Sequence, residues 1–499
     1  MKERRGERVK KIFRECLSAV AFLMILAILI GQLTELFRNK GEWPLPQDFY
    51  SYPSNSFDVV FLGASTIMTS VYPMQLYQDY GIVSYNLSSA EQSIGESYYL
   101  AKDVIKRHQP KVLMIDAGTI TYGTTVSRAE TLHHITDNMP LTSAARWEMI
   151  LHLDPTDFLQ YVFPLDLYHT KWKSLSEDDL KPVTRAAALG ARINSIRSSS
   201  SAVSKSDPID ESYTLPKWSL TYIDKLIRLC NKTATKLVFV SLPYVSAAQS
   251  VYDNRVNAAA ALSRYLRPYG VTHLNYMDRA GDFDIGPSDT WDRHHMNYWG
   301  ATKFTAFIGK YLTEACGVSD RRGDPSYSFM DRKLAAYESF RWQRLLATAN
   351  DTKTYLDVLR DAAKQEGYLV VLALNGEIAK TVDASLAARL NGLGTMTSLS
   401  GYGANSYLAV LNGNKVVCES DVRSRTSEET YKGTVGKLKV EAASSVTSND
   451  SKAEIRINGR DYALNKAGLN VVVFNPSSGE MVDSSVISLS DGSDSLSHQ

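Results

Sequence analysis

The sequence predicts an α/β protein: a parallel sheet flanked by helices, preceded by one transmembrane helix and followed by a β-rich, sandwich-like domain. Three observations predict it. A chargeless apolar run follows a basic segment at the start of the chain. Short apolar runs bounded by turn residues then alternate with stretches of helical period, the pattern of buried parallel strands and their crossovers. Beyond about residue 340, alternating runs separated by Asn412-Gly413 and Asn458-Gly459 read as hairpins.

Lys2, Arg4, Arg5, Arg8, Lys10, Lys11 and Arg14 outweigh Glu3, Glu7 and Glu15, and the run from Cys16 to about Leu33 carries no charge. That is just enough to cross a hydrocarbon core. The basic flank places residues 1–15 in the cytoplasm, 16–36 in the membrane and the bulk of the chain outside the cell. A cleaved signal peptide is the rival reading, but the run is long for one and no A-x-A site follows before Trp43. Cys16 precedes the run, which argues against a lipoprotein.

Residues 37–56 are rich in Pro, Ser and Asn and read as a stalk. Asp58–Leu62, Val83–Leu87, Lys111–Asp116, Lys236–Leu242 and His273–Tyr276 read as five strands, with helices from Pro73 to about Tyr80, over Gln92–Arg107, over 252–268 and from Trp299 to Leu312. This unit is assigned to 57–340. A mostly helical insertion at about 119–215 ends in a Ser-rich stretch, 198–206, read as flexible. The β domain is assigned to 341–483, and the Ser/Asp/Gly-rich tail 484–499 reads as disordered.

Composition sets limits. A chain of 499 residues exceeds one ordinary domain, and a net charge of +1 offers no global attraction for nucleic acid. Four cysteines are too few for a disulfide scaffold; three of them would lie outside the cell, enough for one pair.

Two segments carry the chemistry. Ser65, in Gly63-Ala64-Ser65-Thr66, falls just past the first strand, where parallel sheets gather reactive groups. There it would present a hydroxyl and a free backbone N–H at the start of a helix. Taken alone, such a serine is usually a turn or cap residue. Ile67 replaces the second glycine of a G-x-S-x-G elbow. The second segment, Asp292-Arg-His294-His295-Met-Asn297, follows the fifth strand and supplies a base and an acid to orient it from one loop. A metal site on Asp292, His294 and His295, or a plain capped loop before a helix, are the alternatives; no further His/Cys cluster supports the metal.

Gly63-Ala64-Ser65, Tyr85-Asn-Leu-Ser-Ser89 and Asp292-x-x-His295-x-Asn297 followed by Gly300-Ala-Thr-Lys-Phe resemble the first, second and last blocks of the SGNH/GDSL hydrolase superfamily, over about 57–315. More narrowly, the chain is similar to bacterial cell-envelope proteins of surface-polymer D-alanylation or O-acetylation. The resemblance implies Ser65 as nucleophile, His295 as base and then acid, and Asp292 as the group that orients the imidazole. It implies an oxyanion hole from Ser65, Ser88 and, in place of the absent third-block asparagine, Thr119. It implies an O-acyltransferase or esterase acting on a cell-surface polysaccharide or teichoic-acid-like polymer, with no cofactor and no metal, and an integral-membrane partner as acyl donor. His169 and Trp172 of the insertion are candidates to line an acceptor groove. With a glycine replaced by Ser88 and the asparagine gone, an inactive glycan-binding or assembly protein is the second reading.

In the C-terminal part, Glu366-Gly367-Tyr-Leu-Val-Val-Leu-Ala373, Ile457-Asn-Gly459 and Ala467-Gly-Leu-Asn-Val-Val-Val473 resemble the ILEI/PANDER domain, with its two halves in exchanged order as in a circular permutation. That resemblance implies a β-sandwich with a carbohydrate-binding or structural role.

Overall fold

A computed structural model describes the chain apart from residues 1, 39, 122–128, 181–183, 203–207, 246–247, 377–383, 397–405, 423–425, 448–449 and 491–492. The N-terminal helix runs Lys2–Phe37. Its part Lys10–Phe37 is long and apolar enough to cross a membrane, and none of its apolar stretch is buried inside the protein.

The first sheet holds β1 (Val59–Leu62), β2 (Ser84–Asn86), β3 (Val112–Asp116), β4 (Lys236–Ser241) and β5 (Thr272–Asn275), in the order β2-β1-β3-β4-β5 and parallel throughout. β1 and β3 are buried along their whole length. Strands covered on both faces need unbroken apolar runs, which is why these segments lack alternation. Helices Pro73–Tyr80, Ile94–His108, Lys217–Cys230, Gln249–Leu266 and Tyr298–Glu314 cover the faces. Ser93 and Glu96 close a capping box at the start of the second of these.

The stalk reading of 37–56 is corrected. Leu45 and Phe49 are fully buried and Tyr52 nearly so. The Arg107 guanidinium donates to the carbonyls of Tyr50 and Tyr52 at 2.5 and 2.7 Å. Pro, Ser and Asn are frequent in the segment, but three spaced anchors are enough to pin it to the sheet domain.

The insertion contains helices Ala129–Thr136, Ala144–Leu153, Phe158–Val162 and Leu165–Tyr168, followed by 3-10 turns. Of the Ser-rich stretch, Ser198 pairs its N–H with the Thr290 carbonyl at 2.8 Å, and 203–207 lie outside the described residues.

After this domain the helix Ser328–Thr348 runs through residue 340, and a further helix, Thr352–Glu366, follows before the strands begin. Two antiparallel sheets complete the chain. One pairs β9 (Ser427–Val435), β10 (Leu438–Val446), β11 (Ser451–Ile457) and β12 (Arg460–Asp461). The other, in the order β15-β14-β13-β6-β7-β8, is built from β6 (Leu369–Asn375), β7 (Ser406–Asn412), β8 (Lys415–Val422), β13 (Gly468–Phe474), β14 (Met481–Ser490) and β15 (Ser493–His498). Leu369, Val371 and Val472 of the larger sheet pack against Val440 and Ile455 of the smaller. Their neighbours Val370, Leu372, Val471 and Val473 join the core on the opposite face. The disordered-tail reading is therefore also corrected: 481–490 form β14, paired on both sides, and 493–498 the edge strand β15, held by a ladder from Ser485–His498 to Ser490–Ser493. The backbone ladder, indifferent to side-chain polarity, orders a Ser/Asp-rich sequence. All four cysteines are free.

Candidate active site

Gly63 ends β1 and lets the chain turn beside β3. A Cβ there would sit 2.4 Å from Cβ of Asp116 and 2.9 Å from Ile67 Cγ2, so no side chain fits. The next residues open the helix Ser65–Ser70 with Ser65 in its first turn, where a backbone N–H has no intrahelical acceptor.

The other half comes from the loop between β5 and Tyr298–Glu314. Asn297 caps that helix, accepting from the N–H groups of Trp299 and Gly300 at 3.1 and 3.4 Å. Its amide donates to the carbonyls of Ile196 and Ser288 at 3.0 and 2.7 Å. Trp291 N–H bonds the His295 carbonyl at 3.0 Å, closing a tight turn around Asp292. Asp292 Oδ1 accepts the N–H groups of His294 and His295, both at 2.8 Å, and Oδ2 lies 2.7 Å from His295 Nδ1. The Trp291 indole N–H also donates to Oδ2. Partial burial opposes the Asp292 charge, but the His295 ring and the two backbone donors outweigh it and hold the carboxyl below the usual range. An ionised carboxylate only accepts, so Nδ1 carries the ring proton and Nε2 is the acceptor. Nε2 stands 2.8 Å from Ser65 Oγ. Ser65 keeps 7 % of its surface exposed and His295 6 %.

The chain is similar to two solved hydrolase-type structures. One is assigned as an acylhydrolase, from Bacteroides fragilis; the other is a GDSL-like lipase from Bacteroides thetaiotaomicron. Each is 12 % identical, with a TM-score of 0.26, over 52 % of this chain and 87 % or 88 % of theirs. No family model matches the chain, and no curated protein does. The atoms of the site, and not these likenesses, carry the chemistry.

The expected oxyanion donors fare differently. Ser88 does not adopt a positive φ, so serine fits there without strain. Its Oγ donates to Asn86 Oδ1 at 2.6 Å. Thr119 is corrected: its hydroxyl hydrogen goes to the Asp116 carbonyl at 2.7 Å within a 3-10 turn, and is spent. His169 and Trp172 lie in the turn His169–Ser174, which packs on the N-terminal helix; no hydrogen bond or ring contact links them to Ser65, Asp292 or His295 among the described residues. Asp292, His294 and His295 offer ligand atoms within 4.8 Å of one another. Both ring nitrogens of His295 already face Asp292 and Ser65, so an ion on Nε2 would displace the Ser65 hydroxyl.

Several neighbours were not singled out from the sequence. Buried Arg185 donates to the Ser88 carbonyl and the Pro44 carbonyl at 3.0 Å each, and to Ser88 Oγ at 3.2 Å. Burial pushes its guanidinium down to about 9. Arg192 is sandwiched 4.1 Å from both the Trp43 and Trp291 rings and pairs with Glu42. Those two indoles lie 6.2 and 5.2 Å from the His295 ring. Asp116, which closes β3, accepts from Thr66 Oγ1 and Gly118 N–H, bracing the turn that carries Ser65. Burial raises its carboxyl above the usual range, against those two bonds. Asp116 had one signal, a carboxylate ending an apolar strand. Trp43 and Arg192 had none, since nothing local brings them together.

Proposed function

We propose that this chain is a membrane-anchored serine esterase or O-acyltransferase of SGNH type, acting outside the cell on a surface polysaccharide or teichoic-acid-like polymer. One observation carries the reading: the Ser65 Oγ–His295 Nε2–Nδ1–Asp292 relay, with contacts of 2.8 and 2.7 Å. In the mechanism, Ser65 Oγ attacks an ester carbonyl while Nε2 takes its proton. Asp292 stabilises the imidazolium without itself being protonated. His295 then protonates the leaving alkoxide, leaving an acyl-serine. Water or a sugar hydroxyl, deprotonated by His295, attacks that acyl group and frees Ser65. The N–H groups of Ser65 and Ser88 would hold the tetrahedral oxyanion. Losing a third donor costs about 3–4 kcal/mol of transition-state stabilisation.

The loss of Thr119 as donor favours a second reading, a silent glycan-binding or assembly protein. A fluorophosphonate probe separates the two. The enzyme reading expects wild type to label and Ser65→Ala not to; equal labelling of both would sink it.

A further inference from the structure

A groove of about 720 Å³ lies between the N-terminal helix and the insertion, away from the Ser65 site. One wall is Leu23, Leu26, Ala27 and Ile30; the other includes Leu141, Val162 and Phe163. Glu35 and Arg38 close its water-side end, twelve residues along from Leu23, which is roughly 18 Å at helical rise. A membrane leaflet has about that depth, half of a ~30 Å hydrocarbon core plus its interface.

The insertion beside the groove is unusually apolar on its outside. Leu141, Leu159, Phe163, Trp172 and Leu180 are each more than half exposed, with Leu167 close behind. Elsewhere beyond the N-terminal helix, among the described residues, exposed large apolar side chains stand scattered: Ile209, Val251, Tyr269, Met396 and Val417. Leu141 and Phe163 stand together at the groove, and exposed apolar side chains gathered in this way mark a contact surface, whereas isolated ones do not. The helix Leu165–Tyr168 and the turn after it pack directly on the N-terminal helix, so the patch is continuous with that helix's lipid-facing surface. Lys171 and Lys173 flank Trp172, the aromatic-plus-basic pairing favoured at a membrane–water boundary.

At the polar end, Arg38 donates to the Asp137 carbonyl at 2.8 Å. Arg146, 1 % exposed, donates to the Thr136 and Tyr161 carbonyls at 2.8 Å each. Arg38 Nε and Arg146 Nη1 have no partner among the described residues. Glu35 and Asp137 balance these two cations, so the groove selects an apolar chain and no particular head-group charge.

We infer that the outer face of residues 141–180 is immersed in the outer leaflet, and that an acyl chain of a bilayer lipid fills the groove. The inference rests on reading the N-terminal helix as a membrane span. The insertion then fixes how the whole outer portion sits on the membrane, by an interfacial contact added to the anchor.

The test uses the full chain in phosphatidylcholine nanodiscs containing doxyl-labelled acyl chains, with Cys16, Cys316 and Cys418 replaced by alanine. An environment-sensitive fluorophore is placed through Leu159→Cys or Phe163→Cys. Phe22→Cys in the helix and Ser478→Cys in a remote turn serve as controls. The expected result is loss of emission at 159 and 163 comparable to that at 22, and none at 478. Quenching at 22 without quenching at 159 and 163 overturns the inference while the span stands. If 159 and 163 escape doxyl quenching and are also shielded from aqueous iodide, a protein surface covers the face, and the inference is again overturned. Absence of quenching at 22 overturns both.

Discussion

Asp292 Oδ2 lies 2.7 Å from His295 Nδ1, three residues along one turn, and the same carboxylate accepts the backbone N–H of His295 at 2.8 Å. One side chain thus fixes both the position of the imidazole and its tautomer. Asp292→Asn keeps the size but presents an N–H or a neutral oxygen to Nδ1. We expect kcat for a small activated ester to fall about 10⁴-fold, with the melting temperature little changed. Retained activity in that variant would remove Asp292 from the relay.

Gly63 has no room for a methyl group against Asp116 and Ile67. Gly63→Ala should lower stability by about 1–3 kcal/mol, the usual cost of overpacking. It should also slow probe labelling of Ser65, because the turn that carries the hydroxyl must shift. Chemical denaturation and labelling rates check the two effects separately.

Arg185 holds three separate strands of chain, at Pro44, Ser88 and Gly190, through hydrogen bonds in a dry setting. Arg185→Met leaves those carbonyls buried and unsatisfied, and we expect a loss of about 3 kcal/mol or more. If urea unfolding shows no loss, the guanidinium is not what ties the Ser88 loop down.

Burial pushes His108 and His273 down to about 4. Their unfolded values are near 6.5. Between those limits the unfolded chain binds more protons, so stability falls as pH drops from about 6.5 towards 4 and is unaffected above that window. Each group contributes at most about 1.4 kcal/mol per pH unit. His273 bonds Ser241 and Ser263 at 2.8 Å each. His273→Gln should flatten the melting temperature between pH 6.5 and 4.5; an unchanged slope would rule His273 out as a source.

The central strands of the first sheet were legible because a strand covered on both sides is apolar along its length, as Val59–Leu62 is; the outer strands Ser84–Asn86 and Thr272–Asn275 are polar in part and were legible from the short runs around them. Ser65 and the Asp292–His295 loop were legible for a related reason: both follow strand ends, where a parallel sheet leaves backbone and side chains free. Composition misled where order comes from the backbone or from a few anchors. In the tail, 485–490 pair with 493–498 through main-chain bonds that serine allows as well as valine, and 41–56 is held by Leu45, Phe49 and Tyr52 among polar neighbours.

By itself the sequence determined the order of strands and helices, the chargeless span near the start, and the residue types available for nucleophile, base and acid. Only the tertiary structure decided that Ser65 and His295, 230 positions apart, meet at 2.8 Å. It also decided that the Thr119 hydroxyl turns to Asp116 and that Trp43 reaches the site from the segment ahead of the first strand. Periodicity is a local property, written every few residues, whereas a hydroxyl's direction or a ring's neighbour depends on where distant chain returns.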